Sequence, residues 1–163
     1  MKKTGIRIDI PGFGILEIQR IVSDYTGTLS CGGVLVPGLK ELLIKLSEQV
    51  DIVVVTSDTF GTAEAQLAGI AKPYFLKSAH HDQEKQQYVR QFDLSCIAAF
   101  GNGNNDRWLL RAVKEGGGLA IAVDNGEGCA TEALQNAHLL VHGAVNAFSL
   151  LLEPNRCKAT LRL

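Results

Sequence analysis

Ile21-Val22-Ser23-Asp24-Tyr25-Thr26-Gly27-Thr28-Leu29-Ser30 decides the fold, because a short apolar run ends on one carboxylate and passes at once into a turn rich in hydroxyls. A strand that delivers Asp24 to such a turn presents it at a sheet edge. Gly27 lets the backbone bend close to a bound anion, and Thr26 and Thr28 offer hydroxyl and amide donors to phosphate oxygens.

Three further segments follow in the chain. Asp51-Ile52-Val53-Val54-Val55-Thr56-Ser57-Asp58 is β-branched and almost continuously apolar until it ends in hydroxyls, as a strand buried on both faces does. His81-Asp82-Gln83-Glu84-Lys85-Gln86-Gln87-Tyr88-Val89 opens a helix-like stretch with a lysine near its start. Cys96-Ile97-Ala98-Ala99-Phe100 leads into Gly101-Asn102-Gly103-Asn104-Asn105-Asp106.

In this order the four segments resemble the motifs of the haloacid dehalogenase superfamily. The first resembles Asp-x-Asp-Gly-Thr, with Thr26 in place of the second Asp. That variant is the mark of the P-type ATPases, whose phosphorylation loop reads Asp-Lys-Thr-Gly-Thr-Leu-Thr. The second resembles motif two, with Thr56 as its phosphate-binding hydroxyl, and the last looks like Gly-Asp-Gly-x-Asn-Asp with Asn102 replacing the first Asp. Lys85 matches the motif-three lysine, with Lys77 a competitor. The chain looks most like small soluble proteins similar to an isolated phosphorylation domain of a P-type ATPase.

The rest of the sequence alternates strand and helix after an initial hairpin, which points to a three-layer, Rossmann-like α/β domain with a mainly parallel sheet and helices on both faces. Residues 5–18 read as the hairpin, turning at Pro11-Gly12-Phe13-Gly14. Leu39, Leu42, Leu43 and Leu46 recur at helical spacing after Pro37-Gly38. The pattern predicts strands 52–55, 73–76, 96–100, 119–123 and 137–141, and helices 62–68, 83–92, 105–115, 128–135 and 143–152, the last followed by a short tail. Residues 1–163 form one domain in this reading, its catalytic core over about 20–152. Neither the stretch from Leu29 to Pro37 nor that from Thr56 to Lys85 is long enough for an inserted cap domain. The site is therefore expected to be open, or covered by a second copy of the chain in a homo-oligomer.

Composition agrees. A chain of 163 residues, 46% hydrophobic with formal net charge -1, suits one packed core and argues against a nucleic-acid-binding surface. No apolar run reaches the roughly 18 residues a membrane helix needs, and the expected location is cytoplasmic. Cys31, Cys96, Cys129 and Cys157 are widely spaced and read as reduced thiols, Cys96 as a core residue in a strand. Asp58 reads as a helix cap and Trp108 as core packing.

The resemblance implies a chemistry: a Mg²⁺-dependent phosphohydrolase in which Asp24 attacks phosphorus to form an aspartyl-phosphate. Thr26, Thr56 and Lys85 are its expected catalytic partners. Thr26, Gly27, Thr28, Thr56, Ser57 and Lys85 would hold the phosphate oxygens; Asp24, the Thr26 carbonyl, Asn102 and Asp106 would hold the cation, and Asn105 would steady Lys85. The implied substrate is a phosphorylated small molecule or phosphoprotein. Thr26 cannot act as general acid, so turnover is expected to be slow. A rival reading is a catalytically impaired domain that senses phosphate or metal, or binds a protein.

Overall fold

Runs as apolar as Ile97–Gly101 and Leu119–Asp124 cannot leave a sheet face in water, and parallel strands need helices to connect them. The computed structural model, which describes residues 2–163, supplies both. The chain begins with a hairpin of β1 (Ile6–Ile10) and β2 (Gly14–Ile18), followed by β3 (Arg20–Ser23) and a flap made of β4 (Ser30–Cys31) and β5 (Val34–Leu35). Then come α1 (Leu39–Gln49), β6 (Asp51–Thr56), α2 (Ala63–Gln66), β7 (Pro73–Phe75), α3 (His81–Val89) and β8 (Ile97–Gly101). The remainder is α4 (Arg107–Glu115), β9 (Leu119–Asp124), α5 (Thr131–Gln135), β10 (Leu139–His142), α6 (Ala144–Ser149) and α7 (Pro154–Leu161).

Six strands form one parallel sheet in the order β10-β9-β8-β3-β6-β7. After β3 the chain builds outward through β6 and β7, then crosses back to lay β8 on the other side of β3. That reversal opens a crevice at the carboxyl ends of β3 and β8, where open α/β sheets take ligands. Asp24 leaves the end of β3 and Asn102 the end of β8. Ser23 stands opposite Val54 of β6 and Phe100 of β8, so Thr56 also leaves at this edge.

Two apolar layers hold the sheet. On one face the buried Leu39, Leu43 and Leu46 of α1 pack with Phe148 of α6, Cys157 of α7 and the inward side of the hairpin, Ile6, Ile8, Ile10, Leu16 and Ile18. Each such side chain contributes roughly 1.5–3 kcal/mol by leaving water. The other face takes Val89 of α3, Ala133 of α5, and Leu109, Leu110 and Val113 of α4.

The structure corrects several expectations. The tail after the last predicted helix is α7: Pro154 occupies the first helical turn, and Cys157 is pulled into the core. Cys96 lies in a single 3₁₀ turn (Leu94–Cys96) ahead of β8 and is half-buried, because Asp93 caps that turn by accepting from the Ser95 amide. Trp108 is half-buried, its ring facing the guanidinium groups of Arg107 and Arg111, while Leu109 and Leu110 carry the packing. The stretch 29–37, too short for a cap domain, folds into the flap.

Candidate active site

Asp24 is 6% exposed, with its amide bonded to the Phe100 carbonyl, which extends β3 one residue into the crevice. Lys85, from the first turns of α3, is 1% exposed and reaches the same point. Its Nζ lies 2.8 Å from Asp24 Oδ1, 2.7 Å from Asp106 Oδ1 and 3.4 Å from Asn105 Oδ1. Lys77 stays exposed; only its amide is used, bonded to the Glu84 carboxylate, so the geometry favours Lys85.

Two buried acids against one ammonium set the electrostatics. Burial, together with the Asp106 charge, pushes the Asp24 carboxyl up to about 6 against the opposing pull of Lys85. For Lys85 burial acts downward, but Asp106 and Asp24 outweigh it and the ammonium is held above its ordinary range.

Asp106 was expected as a metal ligand, and its contacts speak against that. It is fully buried; Oδ1 receives Lys85 and Oδ2 receives the amides of Asn102 at 3.0 Å and Gly103 at 2.9 Å. A carboxylate so engaged fixes the loop after β8 and the lysine together. Gly101 is required beside it, since a Cβ there would run into the Asp106 side chain.

The phosphate-loop residues divide. Thr28 turns inward, with Oγ1 3.3 Å from Asp24 Oδ2 and 3.2 Å from Asn102 Oδ1. Thr26 keeps a buried hydroxyl with no hydrogen-bond partner. Gly27 has φ +80, and a Cβ there would meet the Asn102 amide, so glycine is needed for both conformation and space. Thr56 is buried and accepts the Asp58 amide at 2.9 Å, which leaves its hydroxyl hydrogen free to donate, while Ser57 is exposed at the strand end. Asp58 caps the turn entering α2 by accepting from the amides of Thr62 and Ala63 at 3.0 Å.

Sequence reasoning missed Asn125. Its Nδ2 donates to the carbonyls of Thr28 at 2.7 Å and Gly27 at 3.3 Å, and its Oδ1 accepts the Ala144 amide, so it clamps the motif-one loop to the start of α6. The available signal was its place two residues after the apolar run 119–123, in a fourth strand-end loop at the same edge. Tyr25 was missed too: it is fully buried and donates to the Gly33 carbonyl at 2.8 Å. Thr62 Oγ1 bonds the same carbonyl, and Glu127 takes the Gly32 amide. The flap is thereby tied to the loops on both sides.

The donors that remain open are oxygens: Asp24 Oδ2, the Asn102 amide oxygen, and the Thr26 carbonyl, which accepts no hydrogen bond among the described residues. No group of three or more His, Cys, Asp or Glu side chains able to hold a metal occurs among the described residues. An all-oxygen set with one carboxylate suits a hard cation that keeps much of its water, as Mg²⁺ does.

The fold has counterparts among solved structures. A 3-deoxy-D-manno-octulosonate 8-phosphate phosphatase from Vibrio cholerae superposes with a TM-score of 0.64 at 15% identity, covering 96% of this chain and 98% of the other. The fold is that of the haloacid dehalogenase superfamily. The corresponding phosphatase from Moraxella catarrhalis, in complex with magnesium, phosphate and KDO, gives a TM-score of 0.60 at 15% identity, over 87% of this chain and 90% of that one. A cobalt-bound enzyme from Haemophilus influenzae gives 0.62 at 13% identity, over 90% and 94%. No family model matches the chain. In sequence, uncharacterized protein MJ0073 of Methanocaldococcus jannaschii is 39% identical over 66 residues, 40% of this chain and 67% of that protein, and the two belong to one family.

Proposed function

We propose that the protein is a slow, Mg²⁺-dependent phosphohydrolase that works through an aspartyl-phosphate on Asp24 and acts on a phosphorylated small molecule. The observation that carries this reading is the buried Asp24 carboxylate, clamped through one oxygen by Lys85 and linked through the other, by way of the Thr28 hydroxyl, to Asn102. The phosphatases that share the fold, two of them with a divalent metal bound, support it.

Asp24 attacks phosphorus as the bond to the leaving oxygen breaks, and the acyl-phosphate formed is then opened by water. Lys85 keeps the nucleophile ionised and oriented, and its positive charge offsets the charge brought in by the phosphoryl group. Thr56 and the amides around Gly27 donate to the equatorial oxygens. Asp106 holds Lys85 in place and fastens the loop carrying Asn102. A bound Mg²⁺, held by Asp24, the Thr26 carbonyl and Asn102, would neutralise charge between carboxylate and phosphoryl oxygens. Thr26 has no proton to exchange near neutral pH, so the leaving group takes its proton from solvent and breakdown of the intermediate is slow.

Incubation with acetyl phosphate and Mg²⁺ tests the proposal: the wild type should accumulate a hydroxylamine-labile phosphate and turn over, and Asp24→Asn should do neither. Equal turnover by both proteins overturns the nucleophile assignment. Asn102 favours the second reading, a domain that binds phosphate and metal without turnover. In that case calorimetry with Mg²⁺ and beryllium fluoride gives binding that Asp24→Asn abolishes, while acetyl phosphate is left intact.

A further inference from the structure

Away from this site, at the amino-terminal ends of β3, β6 and β8, lies a cavity of about 410 Å³, within the size range of small-ligand pockets. Arg20, Asp51 and Ile97 stand side by side there in strand register, at the opposite end of the strands that carry Asp24, Thr56 and Asn102. Lys2, Lys3, Phe92 and Cys96 complete much of its wall.

The charges of the cavity are unevenly satisfied. Asp51 is engaged by Lys3 at 3.0 Å and more loosely by Arg20 at 3.5 Å, and these contacts, Lys3 foremost, hold its carboxyl below the usual range. Asp93 is occupied by the Ser95 hydroxyl at 2.6 Å and the Ser95 amide at 3.0 Å. Lys2 has no ion-pair partner among the described residues, and Arg20 has no carboxylate closer than the 3.5 Å contact. Both acids are thus used internally, while cationic capacity is left over at the mouth.

The Arg20 guanidinium lies 3.8 Å from the centre of the Phe92 ring, which fixes it as a flat plate beside the apolar Ile97. Phe92 is itself positioned by the edge of Tyr88, with ring centres 5.6 Å apart. A plate of this kind accepts a planar group, and ammonium groups at its rim accept an anionic one.

We propose that this cavity is a second ligand site, specific for a small planar compound carrying a phosphate, phosphonate or carboxylate group. The planar body stacks on the Arg20–Phe92 pair and the anion meets Lys2 and Lys3. The site is separate from Asp24 and does not depend on the phosphohydrolase reading. Its occupation has a direct readout, because Cys96 lines the cavity while Cys31 lies on the flap beside the active-site loops.

Phenylphosphonate, which has a planar ring and a dianion and cannot be hydrolysed by phosphoryl transfer, is the probe. Alkylation of each cysteine is followed by peptide mass spectrometry. Saturating phenylphosphonate should slow modification of Cys96 at least fivefold in the wild type and in Asp24→Asn, leave Cys31 unchanged in Asp24→Asn, and lose its effect on Cys96 in Lys2→Gln/Lys3→Gln. Lys2 is exposed, whereas Lys3 is half-buried and bonds Asp51 and the Val50 carbonyl, so a wild-type circular dichroism spectrum and melting curve are required of the double variant; Phe92→Leu, which leaves both lysines in place, should weaken protection several-fold through loss of the plate. Unchanged Cys96 reactivity, or protection that survives removal of both lysines, overturns the proposal.

Discussion

Thr28 Oγ1 stands 3.2 Å from Asn102 Oδ1 and 3.3 Å from Asp24 Oδ2, so one hydroxyl hydrogen is shared between an oxygen from the end of β8 and one from the end of β3. Asn102 thereby turns its amide oxygen, not its nitrogen, toward the nucleophile; the nitrogen points to the Gly128 carbonyl at 3.4 Å. Asn102→Asp should place a second carboxylate oxygen at the cation position. Mg²⁺ should bind about tenfold more tightly, on the order of 1.4 kcal/mol, as measured by calorimetry.

Thr26 has a buried hydroxyl without a partner, so an acid placed there displaces no existing hydrogen bond. Thr26→Asp should supply the missing proton donor and raise turnover of acetyl phosphate by roughly 10–100-fold, within the range of general acid catalysis. Loss of the accumulated phosphoenzyme should accompany the gain. Faster turnover with undiminished phosphoenzyme would contradict this account of the slow step.

Asp24 has a folded-state pKa of about 6 against 3.8 unfolded, so the native state holds its proton more tightly. The stabilisation this gives is complete below about 4 and is lost as pH rises through 6. In the absence of metal, Asp24→Asn should therefore be more stable than the wild type at pH 7–8, by roughly 1–3 kcal/mol, with the difference closing as pH falls toward 4. Denaturant unfolding across that range is the check.

Lys85→Met should remove activity and also strip Asp24 and Asp106 of their shared cation. Breaking a buried charge cluster costs about 3–5 kcal/mol, which a thermal melt would show as a large downward shift. Lys77→Met, on an exposed side chain, should leave both activity and melting point near the wild type.

His138 accepts the Ala120 amide through Nδ1 at 3.1 Å, which places its proton on Nε2. Burial, helped by Lys114, pulls the imidazole from 6.5 down to about 4. The unfolded chain therefore takes up this proton first, and stability falls as pH drops from 6.5 toward 4. His138→Gln, able to accept the same amide, should flatten the stability profile in that window.

The sheet and its order of motifs were legible because β3, β8, β9 and the second half of β6 are buried on both faces and so carry near-continuous apolar runs. Lys85 was legible through its motif position, and only the fold separates it from Lys77. Asp106 was read as a metal ligand because sequence names an acid without saying which way it faces; in the fold, two loop amides and an ammonium claim it. Asn125 went unread because clamping a loop through carbonyls is a property of distance between segments, here 97 positions apart for Thr28. Helix α7 escaped because its burial depends on one cysteine rather than a repeating stripe.

Two hydroxyls, from Tyr25 and Thr62, converge on the single Gly33 carbonyl, and Glu127 holds the neighbouring amide. Lifting the flap would strand three polar partners at once, so it stays seated on the loops that flank it. Thr62→Ala, which removes one of the two hydroxyls, should loosen this segment, and its amide hydrogens should then exchange faster with solvent.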